Sequence, residues 1–146
     1  MGFQHIIDLL PYKTPFLFVD EITFIDENKI EGHYHFREEE YFYKGHFPGQ
    51  PVTPGVILTE TMAQIGLVAF GIYLLLQDNT QFGKDEERIP LLTSANINFY
   101  KKVFPGDKVI VSAEKIVFRH HKLRSSVSMR DTMNNIICDG IISGMF

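Results

Sequence analysis

A carboxylate inside an apolar run and an imidazole in a stiff loop are the side chains of this sequence best suited to chemistry. Glu60 is the single acidic or basic residue of Val56–Leu76, and His46 lies fourteen positions upstream in Gly45-His46-Phe47-Pro48-Gly49. An ionised carboxylate among apolar side chains is costly, so its pKa rises and it can deliver a proton near neutral pH. An imidazole can take one in the same range. Between them, Thr53-Pro54-Gly55 reads as a helix start, with Thr as N-cap and Pro at the first helical position. If the Thr53 hydroxyl caps the N–H of Val56, the Gly55 N–H stays free. A free N–H at the positive end of a helix can hold a carbonyl oxygen as it becomes an enolate. Base, acid and oxyanion donor together suit proton abstraction beside a carbonyl, followed by loss of a β-hydroxyl.

Each part has a plainer reading. Glu60 could reach a solvent edge or pair with a lysine, and a lone loop histidine is usually surface. Pro48, Gly49, Pro51, Pro54 and Gly55 favour the chemical reading, because they give the loop a defined shape. His33 and His35 sit at strand spacing and resemble a metal pair, but no third ligand accompanies them. His120 and His121 read as a solvated hairpin turn, Cys138 as core, Asp20 as a strand-edge carboxylate. Glu38-Glu39-Glu40 reads as a solvated connection. There is no phosphate-cradling loop or dinucleotide fingerprint, and no cofactor is expected.

The elements that must position these groups follow from periodicity. His5–Leu10 is a short helical turn stopped by Pro11. Phe16–Ile25 and Lys29–Arg37 read as a strand hairpin about Asp26-Glu27-Asn28. A helix is expected from Pro54 to about Gln77. It is apolar nearly all round after Gln64, so it must be buried. Gly66 and Gly71 would weaken it unless another backbone packs closely there. Asp78–Arg88 reads as a mobile polar loop. Four strands follow: Ile89–Val103, with Thr93, Ala95, Ile97 and Phe99 on one side, then Lys108–Phe118, Leu123–Arg130 and Ile136–Phe146. A helix without a polar face needs cover on most sides, which a curved antiparallel sheet provides.

Composition narrows the partners. The 146 residues suggest one domain, 1–146, and 45 % hydrophobic residues supply its core. Eighteen acidic against 14 basic residues give a net charge of −4, which argues against nucleic acid. The one cysteine excludes an intramolecular disulfide and fits a reducing compartment. Met1–Leu10 contains Asp8 and no basic cluster, unlike a signal peptide. The uncharged run Ile65–Gln77 is short against the ~20 residues of a membrane span. A soluble, cytoplasmic protein is expected.

His46-Phe47-Pro48-Gly49, Pro51-Val52, Pro54-Gly55-Val56 and Glu60-Thr61-Met62-Ala63-Gln64 closely resemble the 3-hydroxyacyl-acyl-carrier-protein dehydratases of the FabA/FabZ type. The resemblance extends to Leu10-Pro11, Pro15-Phe16-Leu17, Val19-Asp20 and Pro105-Gly106-Asp107, nearly the whole chain. It implies an α+β hotdog fold, about six antiparallel strands wrapped round one long central helix. It implies a homodimer, with a trimer of dimers as a family expectation, and an active site at the dimer interface. His46 from one subunit would take the α-proton, and Glu60 from the other would protonate the leaving hydroxyl. The Gly55 N–H would hold the thioester carbonyl beside Val56 and Phe47, and Gln64 would orient the Glu60 carboxyl group. Glu rather than Asp at position 60 resembles the FabZ branch and implies dehydration without isomerisation.

Two places depart from the family pattern. Tyr12-Lys13 stands where His-Arg is usual, and Asn98-Phe99-Tyr100-Lys101 where Lys-Phe-Arg is usual. These bear on the acyl tunnel and on docking of the acidic acyl carrier protein, for which Lys101, Lys102 and Lys13, with Arg119, Lys122 and Arg124, offer a basic patch. They leave open a specialised acyl or polyene pathway beside the housekeeping one. A non-catalytic acyl-binding hotdog protein, or the partner subunit of a dehydratase complex, is the alternative from another functional class. A hotdog thioesterase or coenzyme A hydratase is a further one. The absence of an Asp-x-Asn-Pro-x-His run counts against the hydratase.

Overall fold

The computed structural model describes residues 2–78 and 89–146. The polar stretch read as a loop over Asp78–Arg88 lies outside these residues except for Asp78. In chain order the elements are α1 (Gln4–Asp8), β1 (Glu21–Ile25), β2 (Lys29–His35), α2 (Gly55–Ala63), a π-helical stretch (Gln64–Ala69), α3 (Phe70–Gln77), β3 (Leu91–Phe99), β4 (Lys108–Arg119), β5 (Lys122–Arg130) and β6 (Ile136–Met145). The six strands form one antiparallel sheet in the order β1-β2-β4-β5-β6-β3. The continuous helix Gly55–Gln77 packs across it, touching β2, β4, β5 and β6 through its π-helical middle. This is the hotdog arrangement expected above.

The helix is 23 residues long and apolar enough to cross a membrane by length and composition, and 78 % of its apolar window is buried inside the protein. Its apolarity is that of a core helix covered by a sheet. Ile65, Ala69 and Phe70 are fully buried with Met62, among Val109, Val111, Val127 and Met129 from the strands. A second aromatic layer surrounds Phe18, which meets Tyr34 edge-on at 5.5 Å, while Tyr34 meets Phe36 at 4.9 Å.

The π-helical middle was not anticipated. Phe70 N–H reaches back five residues to Ile65 O, widening the turn. The buried Ser125 hydroxyl on β5 donates to Gly66 O at 2.8 Å, satisfying a carbonyl in the widened stretch. The two helix glycines are explained by side chains, not by the backbone approach that was expected. A Cβ on Gly66 would lie 2.8 Å from Val127 Cγ1, and one on Gly71 would lie 2.0 Å from Phe146 Cζ.

Three other expectations are corrected. Phe16–Asp20 is not strand, because Phe16 and Phe18 spend backbone groups on the Gln64 side chain rather than on a neighbouring strand. Thr53 is not the helix cap. Pro54 occupies that position (φ −58°, ψ 138°) with no side-chain cap bond, and the buried Thr53 hydroxyl instead pairs with Tyr43 Oη at 2.6 Å. Glu40 is more than a solvated charge, since its carboxylate accepts from Tyr34 Oη and from Arg37 N–H.

β3 is the edge of the sheet, and its residues are exposed throughout apart from half-buried Ile97. Leu91, Leu92 and Phe99, with Tyr100 beyond the strand, form an uncovered apolar border.

Candidate active site

Glu60 sits on the last turn of α2, where helical spacing places Gln64 above it. Gln64 is fully buried and its amide orientation is fixed. Its Oε1 accepts from Phe18 N–H at 2.8 Å, while its Nε2 donates to Phe16 O at 2.9 Å and to Glu60 Oε2 at 3.0 Å. Burial raises the Glu60 pKa above the ordinary carboxylate value, and the Gln64 hydrogen bond opposes part of that rise. The carboxyl group opens on a cleft of about 250 Å³ lined by Tyr12, Phe16, Ala63, Leu67, Val68 and the Leu91–Leu92 start of β3. A half-buried carboxyl whose pKa is raised by its apolar walls is suited to act as an acid.

Tyr12 was noted in the sequence only as a departure from the family pattern. Burial and the neighbouring Glu60 hold its phenol well above the usual range, so it stays neutral. The signal for it lay in its position just after Leu10-Pro11, within the matching motif.

His46 occupies the loop before α2. Its Nδ1 lies 2.8 Å from Val52 O. A carbonyl only accepts, so the proton resides on Nδ1 and the Nε2 lone pair is left as a base. Phe47 stacks on the imidazole at 4.0 Å and is itself 54 % exposed. Among the described residues, His46 does not line the Glu60 cleft of its own chain.

Gly55 is the first helical residue, so its N–H has no partner within the helix. Its Cα packs beneath the Phe99 ring, where an added Cβ would meet ring carbons at 3.3 Å. Val56, next to it, is 76 % exposed. Phe47, Val56, Phe99 and Tyr100 are thus all uncovered at the start of the helix or the end of the edge strand.

The lysines are divided. Lys101 and Lys102 share a surface groove with Lys108, which sequence reading had not grouped with them, and Lys13 is not part of it. Lys101 is ion-paired with Asp131, while among the described residues Lys102 and Lys108 have no ion pair. Lys13 is exposed beside Tyr12. The histidine pair on β2 has separate partners: His33 Nε2 meets Glu21 at 3.0 Å and His35 Nε2 meets Gly106 O at 2.8 Å. Asp20 is held by Arg37 at 2.9 Å. His120 and His121 are exposed in the β4–β5 turn with φ of 54° and 60°. Cys138 is fully buried, and burial pushes its thiol up to about 12.

Among solved structures, the dehydratase heterocomplex ApeI:P from Xenorhabdus doucetiae matches with a TM-score of 0.78 and 9 % identity, over 96 % of this chain and 89 % of that one. A Haemophilus influenzae thioesterase matches at 0.58 with 19 % identity, over 86 % and 76 %. These likenesses establish the fold and not the reaction. By sequence, the chain is 40 % identical to the 3-hydroxyacyl-acyl-carrier-protein dehydratase FabZ of Petrotoga mobilis, over 78 % of this chain and 76 % of the relative. It is 38 % identical to the dehydratase of the same name from Bacillus subtilis strain 168, over 77 % and 75 %. Residues 10–140 match the FabA-like domain, and the chain is a member of that family.

Proposed function

We propose that this chain, as one domain over residues 1–146, dehydrates 3-hydroxyacyl groups carried on acyl carrier protein to trans-2-enoyl thioesters. One observation carries the reading beyond family membership: Glu60 is the half-buried acid of an apolar cleft, held by an amide that cannot turn. His46 Nε2 removes the α-proton, and the Gly55 N–H stabilises the enolate oxygen. Glu60 then gives its proton to the β-hydroxyl, which leaves as water while the Cα–Cβ double bond forms. Exchange with solvent returns His46 and Glu60 to their starting protonation. Glutamate at position 60 supports dehydration without isomerisation.

His46 lies outside its own chain's Glu60 cleft, and β3 leaves an apolar edge uncovered beside Phe47 and Val56. Both features support a homodimer in which each site takes His46 from one copy and Glu60 from the other. The apolar border at Phe99 and Tyr100 would lie in the contact. The acyl carrier protein would dock at Lys102 and Lys101, with Lys13 flanking the cleft. The pathway is fatty acid synthesis or a specialised acyl synthesis, in the cytoplasm.

The test is a spectrophotometric assay with 3-hydroxyacyl carrier-protein thioesters, following enoyl thioester absorbance for wild type, His46→Ala and Glu60→Gln. Wild-type turnover lost in both variants supports the reading. No wild-type turnover on short, long or polyene chains would replace it with an acyl-binding protein or a subunit that needs a different partner.

A further inference from the structure

The Glu60 cleft follows one face of the central helix. Glu60, Ala63 and Leu67 line it in steps of three and four residues, with Val68 beside Leu67. On the next turn the helix presents Gly71, and the space a side chain would fill is taken by the Phe146 ring, whose Cζ lies 2.0 Å from an ideal Cβ there. Phe146 also lines the cleft, and its ring packs against the buried core. Its N–H donates to His121 O at 2.9 Å, which fixes its backbone at the end of β6. An aromatic ring resting directly on helix backbone therefore stands across the cleft just beyond Val68.

We infer that Phe146, seated on Gly71, is the floor of the acyl cleft and sets the longest acyl chain the site accepts. The inference rests on the reading of the cleft as an acyl-thioester site. From Glu60 to Val68 the helix advances at most about 12 Å at the α-helical ~1.5 Å per residue, the widened π-helical turn rising less. An all-trans chain of ~1.5 Å bonds advances about 1.3 Å per carbon. With the β-carbon at Glu60, about nine further carbons fit before the ring, or about twelve in the whole acyl group. A longer chain must displace a packed aromatic ring, which a close-packed interior resists.

The test uses 3-hydroxyacyl-pantetheine compounds of about eight to about sixteen carbons, as thioesters for turnover and as inert amides for calorimetric binding to the full-length protein. Wild type should bind more tightly with each added carbon up to about twelve and then weaken about tenfold or more, the discrimination expected of a closed apolar pocket. Phe146→Ala should move that limit by several carbons and leave affinity for the shortest compound within about twofold. Phe146→Leu, which keeps a packed side chain, should move it by less and guards against a folding defect in the alanine variant. Identical length profiles in wild type and both variants, or no binding at any length, would overturn the inference. If the limit moves while no thioester is turned over, the cleft floor stands and the dehydratase reading falls.

Discussion

Gln64 Nε2 lies 3.0 Å from Glu60 Oε2, and the amide that carries it is pinned from both ends by the backbone of Phe16 and Phe18. Because Phe18 N–H can only donate and Phe16 O can only accept, the amide cannot flip. One hydrogen of the NH2 group is used on Phe16 and the other on Glu60. The acid is thus oriented by a segment far away in sequence, before any substrate arrives.

Gln64→Leu should damage both stability and rate. It leaves the Phe18 N–H and Phe16 O without their partner, at a cost of about 2–4 kcal/mol. Thermal unfolding should fall by roughly 6–15 °C. Turnover should drop about tenfold to a hundredfold even well below the melting point, as a mispositioned acid loses much of its catalytic contribution. A variant that melts low but turns over normally would mean that Gln64 only braces the fold.

Glu60→Gln should be the more stable protein at neutral pH. Burial raises the folded-state pKa of Glu60 above its unfolded value near 4.5, so the folded chain binds the extra proton between the two. Its stabilising share is complete below about pH 4.5 and is lost as pH rises through the folded value. Glutamine has no such loss. Urea midpoints for the two proteins should coincide near about pH 4 and diverge towards about pH 8, with the variant higher. Divergence in the opposite direction would show that hydrogen bonding to the anion, not burial, dominates at Glu60.

Mixing inactive variants tests whether the site is shared. His46→Ala and Glu60→Gln should each lose about a hundredfold or more in turnover. If subunits are unfolded together and reassembled at random, about half the dimers pair unlike chains, and each of these holds one intact site. The mixture should then recover about a quarter of wild-type activity. No recovery after confirmed exchange of subunits would place both residues in a single-chain site.

Charge reversal at the lysines should separate docking from chemistry. Lys102→Glu should raise KM for a carrier-linked substrate about fivefold to tenfold and leave a pantetheine thioester unaffected. Lys101→Glu should also loosen the turn in which Asp131 accepts from Met133 N–H and Asn135 N–H at 2.9 Å, lowering stability as Lys102→Glu does not. Equal effects on both substrate types would remove the docking role.

What could be read from the sequence, and what could not, divides along physical lines. The central helix was legible because an apolar run of that length has to be covered. Glu60 was legible because it is the one charge in that run. The hairpins announced themselves by alternation and by turn residues. The Thr53 cap failed because Tyr43, ten residues upstream, claims the hydroxyl. The strand over Phe16–Asp20 failed because Gln64 takes its backbone groups from 46 and 48 positions away. The π-helical stretch left no mark at all: Gln64–Ala69 is apolar after its first residue, and its widened turn is satisfied by Ser125 from a strand. In the last two failures the deciding partner is distant in the chain.

The open β3 edge bears on how the chain survives after synthesis. A nine-residue strand with an unpaired border and apolar side chains is a template for any other extended segment. If a second copy covers it, as proposed above, that copy acts as a guard as well as a catalytic partner. Dimerisation then competes with aggregation for one surface. Dilution works against the native assembly, because a chain that meets its twin late stays exposed to foreign strands for longer. Enzyme held at low concentration should lose soluble protein faster than the same enzyme kept concentrated, the reverse of the usual behaviour of an aggregating protein.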